Sequence, residues 1–556
     1  MYNLLVGGAA GQGVESAVTA LEFFFKHAGS GVFTMRDLMS RIRGGHNFSR
    51  IRFGPGTPKA HSERLDGVIA LNEETAAIHR EALSQEGFIL MDSAAKSEDP
   101  RVIRIDMAQI AKTLGNARTA GSVAVGAALK LFGVALDEKS AAEVFGRVLK
   151  PEYVGINVQA ALAGYEAAPG RFTLPEGHAR DMMLLSGNRA IALGALAAGV
   201  QFYAAYPMSP STSILESLAQ WAKEAGIVVE QAEDEIAAIN MALGASYAGA
   251  RAMTGTSGGG LSLMVEAIGL AGMTEIPVVI VDAQRPGPAT GLPTRTEQSD
   301  LKFVISAAQG EFPRMVIAAR GHADAFRQTI RAVNLAEKYQ IPVLLLTDQY
   351  LADATASIPL LDPEIFPRYE PEMVPLTREY ARYRYTDSGI SPRRFPGDKE
   401  ALVNIDSDEH NERGDIIEDS ETRIRMMDKR MGKLKLLEKE LEEPDWLGDE
   451  NPQVMLVGWG SMHGPLQEAV ELLNREGRKR YGALVFGDVW PLPQKKLRLA
   501  AEHAGALINV EQNYTGQLAG LIREETGIVM SASVLRYDGR QMTGEEIAQR
   551  VIKESF

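Results

Sequence analysis

The chain has 556 residues, of which 45% are hydrophobic and 23% charged, with a formal net charge of −14 at pH 7 and no cysteine. That length exceeds what one hydrophobic core supports and predicts roughly three or four domains, while the acidic balance argues against nucleic acid or an anionic membrane as the main partner. Without cysteine the chain supplies no thiolate nucleophile, no disulfide and no sulfur ligand to zinc or to an iron–sulfur cluster, so any such metal must lie on another subunit. The opening run Tyr2 to Val6 lacks the basic region and cleavage site of a signal peptide. The Ala- and Gly-rich run Ala190 to Tyr206 is too short and polar to span a bilayer, so a cytoplasmic location is expected.

Leu4 to Val6 followed by the glycine turn Gly7 to Gly13 reads as strand, turn and helix N-terminus, where free N–H groups can hold an anion. As a dinucleotide fingerprint it is poor. With Gly11 and Gly13 as the first two glycines, Ser16 stands at the third, and no acidic residue closes an obvious strand about twenty residues on. A packing turn, a phosphate-facing turn and a nicotinamide site all stay open on these residues. Apolar strands at Val68–Leu71, Phe88–Met91 and Val102–Ile105, separated by helical patterns, predict a parallel-sheet α/β domain over residues 1–175. Inside it, Ser40 to Arg50 gathers Arg41, Arg43, Arg50 and His46 around Gly44 and Gly45. That basic loop suits either a solvated or subunit-contacting segment or a clamp for a phosphate-bearing ligand.

After a linker at Leu174–Gly177, a second parallel-sheet domain is expected over 185–354. Its opening strand leads to Tyr206–Thr212 (Tyr-Pro-Met-Ser-Pro-Ser-Thr), where Pro207 and Pro210 stiffen an extended turn around Ser209, and Ser211 or Thr212 can cap the next helix. Ligands in open α/β sheets bind beyond the carboxyl ends of the strands, which is where this turn falls. Ile227–Glu230 reads as a strand and Glu233–Gly249 as a helix that starts with Glu233, Asp234 and Glu235. Such carboxylates either complement the helix dipole or, turned toward the apolar side, become desolvated acid–base groups. The strand Ala252–Thr254 then enters the loop Gly255–Gly260, which contains Thr256, Ser257 and Gly258 and leads into a helix at Leu261–Ala271. The near-continuous apolar runs Ile276–Asp282 and Pro342–Thr347 read as strands buried on both faces. The first ends in the proline- and glycine-rich segment Asp282–Leu301, with Arg285 at the strand's carboxyl end, where its guanidinium fork can take a carboxylate bidentately.

Residues 355–450 shift in composition: clustered prolines, then acidic residues, then a mixed-charge helix over Glu421–Glu443 that is either solvated or docked. A third parallel-sheet α/β domain follows over 451–556.

Four motifs in one order, Tyr206–Thr212, Glu233–Ile239, Thr254–Gly260 and Gln284–Gln298, resemble the alpha subunit of 2-oxoacid:ferredoxin oxidoreductases. Val6–Glu15 and the Arg-Gly-Gly-His at Arg43–His46 resemble that family's gamma domain, and Glu511–Leu518 its transketolase-like C-terminal domain. The resemblance implies a fused gamma–alpha chain of three α/β domains: gamma-like (1–175), pyrimidine-binding (185–354) and transketolase C-terminal-like (451–556), with 355–450 as an extended connection. It implies thiamine diphosphate bound with Glu235 hydrogen-bonded to the aminopyrimidine, Glu233 being the competing assignment. Tyr206, Pro207, Thr256, Ser257 and Gly258 would also contact the cofactor. Arg285 would bind the substrate 1-carboxylate beside Ser209, which stands where the family more often has Thr. It further implies a beta subunit carrying Mg2+ and a [4Fe-4S] cluster, ferredoxin as electron acceptor, coenzyme A as acyl acceptor, a dimer of heterodimers, and no metal on this chain. 2-Oxoglutarate is the expected substrate, with pyruvate, branched-chain or aryl 2-oxoacids as alternatives. A non-catalytic dinucleotide-binding regulatory subunit is the alternative from another class, favoured only by the turn at residues 7–13.

Overall fold

The computed structural model describes residues 1–39, 44–375, 377, 379–397, 402–475, 477 and 479–553. The chain divides into two compact units, residues 1–186 with 353–360 and residues 187–352 with 361–556. In chain order the first unit carries β1 (Tyr2–Ala10), β2 (Gly31–Asp37), β3 (Gly44–Gly54), β4 (Leu65–Ala70), β5 (Leu83–Asp92), β6 (Val102–Ile105) and β7 (Met183–Ser186). The second carries β8 (Phe202–Ala205), β9 (Val228–Gln231), β10 (Ala252–Thr256), β11 (Val278–Gln284), β12 (Met315–Ala318) and β13 (Pro342–Asp348). β14 (Thr355–Ile358) belongs to the first unit, and β15 (Asp445–Gly448), β16 (Val454–Trp459), β17 (Tyr481–Phe486), β18 (Asp488–Trp490), β19 (Ala506–Glu511) and β20 (Ala532–Leu535) complete the second.

The first unit's sheet runs β6-β5-β4-β1-β3-β2-β14-β7. Its β1, β4, β5 and β6 pair in parallel, as βα alternation predicts. β3 pairs antiparallel with both β1 and β2, and β14 does so with β2 and β7. The sheet is therefore mixed. The connection from β2 to β3 is too short to hold a crossover helix, so that pair must be antiparallel. Leu4, Val6, Ile51 and Phe53 pack into one core on one side of the sheet, and Leu5, Phe48, Val68 and Ile89 into another. This is the period-2 alternation of a sheet covered on both faces.

The second unit holds two sheets. One runs β18-β12-β13-β11-β10-β8-β9 and is parallel except for its edge strand β18, which comes from the C-terminal part of the chain. The other runs β15-β17-β16-β19-β20, with only β15 antiparallel. Val316 and Leu344 of the first sheet share one core cluster with Trp459, Leu484 and Phe486 of the second.

The segment after 360 is tethered rather than loose. Arg393 pairs with Glu337 at 2.6 Å, and Arg382 donates to Gln340 Oε1 at 2.9 Å and to the Glu275 carbonyl at 2.6 Å. The mixed-charge helix spans Ser420–Leu437 and is docked, with Met426, Lys429, Arg430 and Lys433 buried. Its Lys429 Nζ lies 2.5 Å from Glu275 Oε1, and Lys433 Nζ contacts Glu275 Oε2.

Candidate active site

β9, β8, β10 and β11 lie side by side in the second unit, so the segments leaving their carboxyl ends are neighbours. These segments carry every site residue expected from the sequence. Pro207 and Ser209 follow β8 half-buried, while Tyr206 is 39% exposed at the rim. The Ser209–Pro210 peptide is cis. The turn is pinned from below by Asn188, whose Nδ2 donates to the Pro210 carbonyl and to Ser213 Oγ, each at 2.8 Å. Ser211 stands at the N-cap of the helix Thr212–Ala225 in helical conformation and donates its hydroxyl to the Met208 carbonyl at 2.8 Å. The expected side-chain cap is therefore absent at Ser211.

Beyond β9, Asp234 caps the helix Glu235–Tyr247 by accepting from the Ala237 N–H at 2.7 Å. With the helix phased by that cap, Glu235 falls on the stripe of Ala238, Ile239, Ala242 and Leu243 and is only 3% exposed. Glu233 is exposed. Glu235 Oε1 has no hydrogen-bond partner among the described residues. A buried carboxylate oxygen left this way costs several kcal/mol unless a ligand supplies a donor, on the order of 1–3 kcal/mol even for a neutral group.

Opposite it, β10 ends in Thr256, and Ser257 begins the helix Gly258–Thr274. Both hydroxyl residues are fully enclosed, and Ser257 Oγ and Thr254 Oγ1 are also unpartnered among the described residues. Glycine is required here. A Cβ on Gly260 would stand 2.1 Å from Thr256 Oγ1 and 2.4 Å from Glu235 Oε1, and one on Gly258 would stand 2.5 Å from Asp300 Oδ2. Tyr203, under Gly255, has an enclosed and unpartnered hydroxyl whose pKa burial pushes upward.

Arg285 leaves β11 largely buried and donates Nη1 to the Ser209 main-chain carbonyl at 2.7 Å. Desolvation lowers its pKa, with Asp300 acting in the opposite direction. The structure thus joins Ser209 to Arg285 through the backbone of Ser209. The segment that follows is locked onto the C-terminal part of the chain. Gln298 donates from its side chain to the Trp459 carbonyl at 2.9 Å, and its own carbonyl accepts from Asn513 Nδ2 at 3.0 Å. Glu511, fully buried, accepts from Trp459 Nε1, Asn513 Nδ2 and the N–H groups of Leu518 and Ala519.

A flat ring with hydrogen-bonding nitrogens fits this set of groups, because a buried carboxylate oxygen and buried hydroxyls of Thr254 and Ser257 lack partners among the described residues. Residues 193–429 match the family profile described as "Pyruvate flavodoxin/ferredoxin oxidoreductase, thiamine diP-bdg", and residues 3–167 match "Pyruvate ferredoxin/flavodoxin oxidoreductase". The chain is 33% identical over 617 residues to the 2-oxoacid:ferredoxin oxidoreductase subunit alpha of a Sulfolobus species, across 99% of this chain and 96% of that one. It belongs to the 2-oxoacid:ferredoxin oxidoreductases, as an alpha subunit. The 2-oxoglutarate synthase subunit KorA of Methanothermobacter thermautotrophicus is 32% identical, over 66% of this chain and 98% of that one. Among solved structures, the 2-oxoglutarate:ferredoxin oxidoreductase of Magnetococcus marinus, with 2-oxoglutarate, coenzyme A and succinyl-CoA bound, superposes with a TM-score of 0.91 at 31% identity, covering 100% of this chain and 99% of that one.

The alpha subunit is therefore part of a thiamine-diphosphate-dependent enzyme, and the non-catalytic dinucleotide-binding reading of the glycine turn is set aside. In the first unit that turn, with Gly11 and Gly13 at φ 94° and 84°, lines a cavity of about 500 Å3 together with Ser16, Arg36 and Asn47. Arg36 there pairs with Glu15 at 3.1 Å and with Glu22 at 3.0 Å. His46 Nε2 lies 2.8 Å from His79 Nε2; Arg43 falls outside the described residues. Sequence reasoning missed Asn188, Tyr203, Asp282, Asp300 and Gln298 as parts of the second unit's site. Only the last three offered a signal, as polar residues inside the Asp282–Leu301 motif.

Proposed function

We propose that this alpha subunit, with a beta subunit that carries Mg2+ and a [4Fe-4S] cluster, converts 2-oxoglutarate and coenzyme A to succinyl-coenzyme A and carbon dioxide and reduces ferredoxin. The assembly would be a dimer of heterodimers acting in the cytoplasm. The observation that carries the reading is Glu235, buried beside Gly260 with its Oε1 unpartnered among the described residues. Likeness to the Magnetococcus marinus enzyme favours 2-oxoglutarate among 2-oxoacids.

When bound, thiamine diphosphate supplies the nucleophilic carbon and the electron sink for loss of carbon dioxide. Glu235 holds the aminopyrimidine nitrogen and keeps it in the tautomer that can take up a proton; its burial makes that hydrogen bond strong. Tyr206, Pro207, Thr256, Ser257 and Gly258 would contact the cofactor's pyrimidine end. Arg285 binds the substrate 1-carboxylate with the guanidinium nitrogens not spent on Ser209, and the Ser209 hydroxyl donates toward the reacting carbonyl.

Arg285→Lys should raise KM for the 2-oxoacid about tenfold or more with a smaller change in kcat, because an ammonium keeps the charge and loses the fork. Ser209→Ala should lower kcat/KM by about fivefold, the worth of one neutral hydrogen bond of about 1 kcal/mol, while the main-chain grip on Arg285 persists. Steady-state kinetics on the chain co-purified with its beta subunit, with reduction of a low-potential dye as readout, measure both. The same assay run with 2-oxoglutarate, pyruvate and a branched-chain 2-oxoacid at saturating coenzyme A tests the substrate. A kcat/KM higher for pyruvate than for 2-oxoglutarate would replace the assignment.

A further inference from the structure

Asp282 is fully buried near the carboxyl end of β11, and neither of its carboxyl oxygens has a hydrogen-bond partner among the described residues. Its register neighbours on β10 and β13 are Thr256 and Leu346, so neither strand gives it a cation. Asp300 lies beside it, fixed from two sides. Its N–H donates to Gln284 Oε1 at 3.1 Å, and its Oδ2 occupies the space a Cβ on Gly258 would need. Two carboxylates facing each other are both acceptors and leave the buried oxygens of Asp282 without a donor. A proton held between them supplies the missing donor and removes the cost of two like charges out of water. Arg285 stands three residues beyond Asp282, and its charge acts on Asp300.

We infer that Asp282 and Asp300 are a proton-holding pair that sets the charge facing Arg285, so that binding of a 2-oxoacid carboxylate there is coupled to uptake of one proton by the pair. The inference rests on the proposed role of Arg285. An ionised Asp300 competes with the substrate for the guanidinium and repels its carboxylate; the neutral pair leaves the fork free. Reciprocally, an anion on Arg285 favours the protonated pair, because linkage between two sites is mutual. The charged groups that face Asp300 are Asp282 on β11, Arg285 after it and Glu297 on its own segment, whereas the first turn of the helix Gly258–Thr274 has no acidic residue. Burial pushes Asp300 up to about 6, against the lowering effects of the Asp282 carboxyl beside it and of Arg285. Burial and then Asp300 raise Asp282 well above its ordinary value, and burial and then Asp300 bring Glu297 to about 7. Substrate affinity should therefore tighten as pH falls through about 6.

The test uses the alpha–beta complex. 2-Oxoglutarate and pyruvate are titrated calorimetrically at pH 6.5 in two buffers of different ionisation enthalpy, and KM is followed from pH 5.5 to 8. The wild type should take up a measurable fraction of a proton per substrate bound, with KM rising severalfold across that range. Asp300→Asn should abolish the uptake and flatten the profile. Loss of general packing would change KM without removing its pH dependence. Absence of uptake in the wild type, or uptake that persists in Asp300→Asn, overturns the pair. If Arg285→Lys leaves KM unchanged, the carboxylate assignment falls and takes the pair with it. If Arg285→Lys raises KM while Asp300→Asn keeps the wild-type slope, only the pair falls.

Discussion

Glu235→Gln should lower kcat by about 10²–10⁴-fold, the range expected when a positioned acid–base partner is lost, while the thermal midpoint of the complex changes little. Gln has the same shape, so the stripe of Ala238, Ile239 and Ala242 that buries the residue keeps its packing. The change falls on a carboxyl group whose Oε1 has no hydrogen-bond partner among the described residues. Glu233→Gln, at an exposed position, should leave kcat within twofold. Dye-reduction assays at saturating substrate and cofactor separate these outcomes. Turnover of Glu235→Gln within threefold of wild type would remove Glu235 from the cofactor's first contacts.

Glu275→Ala should strongly destabilise the second unit. Glu275 takes a left-handed conformation, φ 50°, at the end of the helix Gly258–Thr274, and its carboxylate is 1% exposed between Lys429 and Lys433. Its removal strands two buried ammonium groups and should cost about 3–5 kcal/mol, read as a fall in the midpoint of thermal or urea unfolding. The partners shift in different senses. Burial raises the carboxyl's pKa, but Lys429, Lys433 and Arg382 outweigh it and hold the carboxyl well below 4.5, whereas Lys433, sharing one carboxylate and fully desolvated, is pushed down to about 8. For a depressed acid the stabilising contribution is complete above its unfolded-state value and is lost as pH falls through the folded one. The carboxylate's contribution in the wild type should therefore be lost only as pH falls well below 4.5. An unfolding midpoint unchanged by the substitution would show that the connection is not held by this cluster.

Much of the candidate site could be read from residue order because each side chain proposed for it sits within a few residues of a strand's carboxyl end. Tyr206–Thr212, the glycines at 258 and 260 and Arg285 were all placed this way, by proline, glycine and apolar-run signals that act over short distances. The choice between Glu233 and Glu235 was also written in the chain, in the spacing of Glu235 to Ala238, Ile239 and Ala242, once Asp234 was recognised as the cap. The antiparallel half of the first sheet was harder. β2 and β3 contain buried polar residues such as Asp37, Asn47 and Arg50, which dilute the apolar alternation that marks a strand.

Sequence by itself determined the α/β class, the family and the position in the chain of the four segments proposed for the active site, since these depend on local backbone preference and on motifs. Tertiary structure alone decided what those segments touch. Asp282 and Asp300 meet because a proline- and glycine-rich segment turns back on the strand it has just left, and Gln298 is held by Asn513, 215 residues away. Lys433 reaches Glu275 across 158 residues, turning an apparent surface helix into a buried clamp. Buried polar groups find partners wherever the fold brings a donor to an acceptor, and that pairing carries no period and no spacing that could be read in advance.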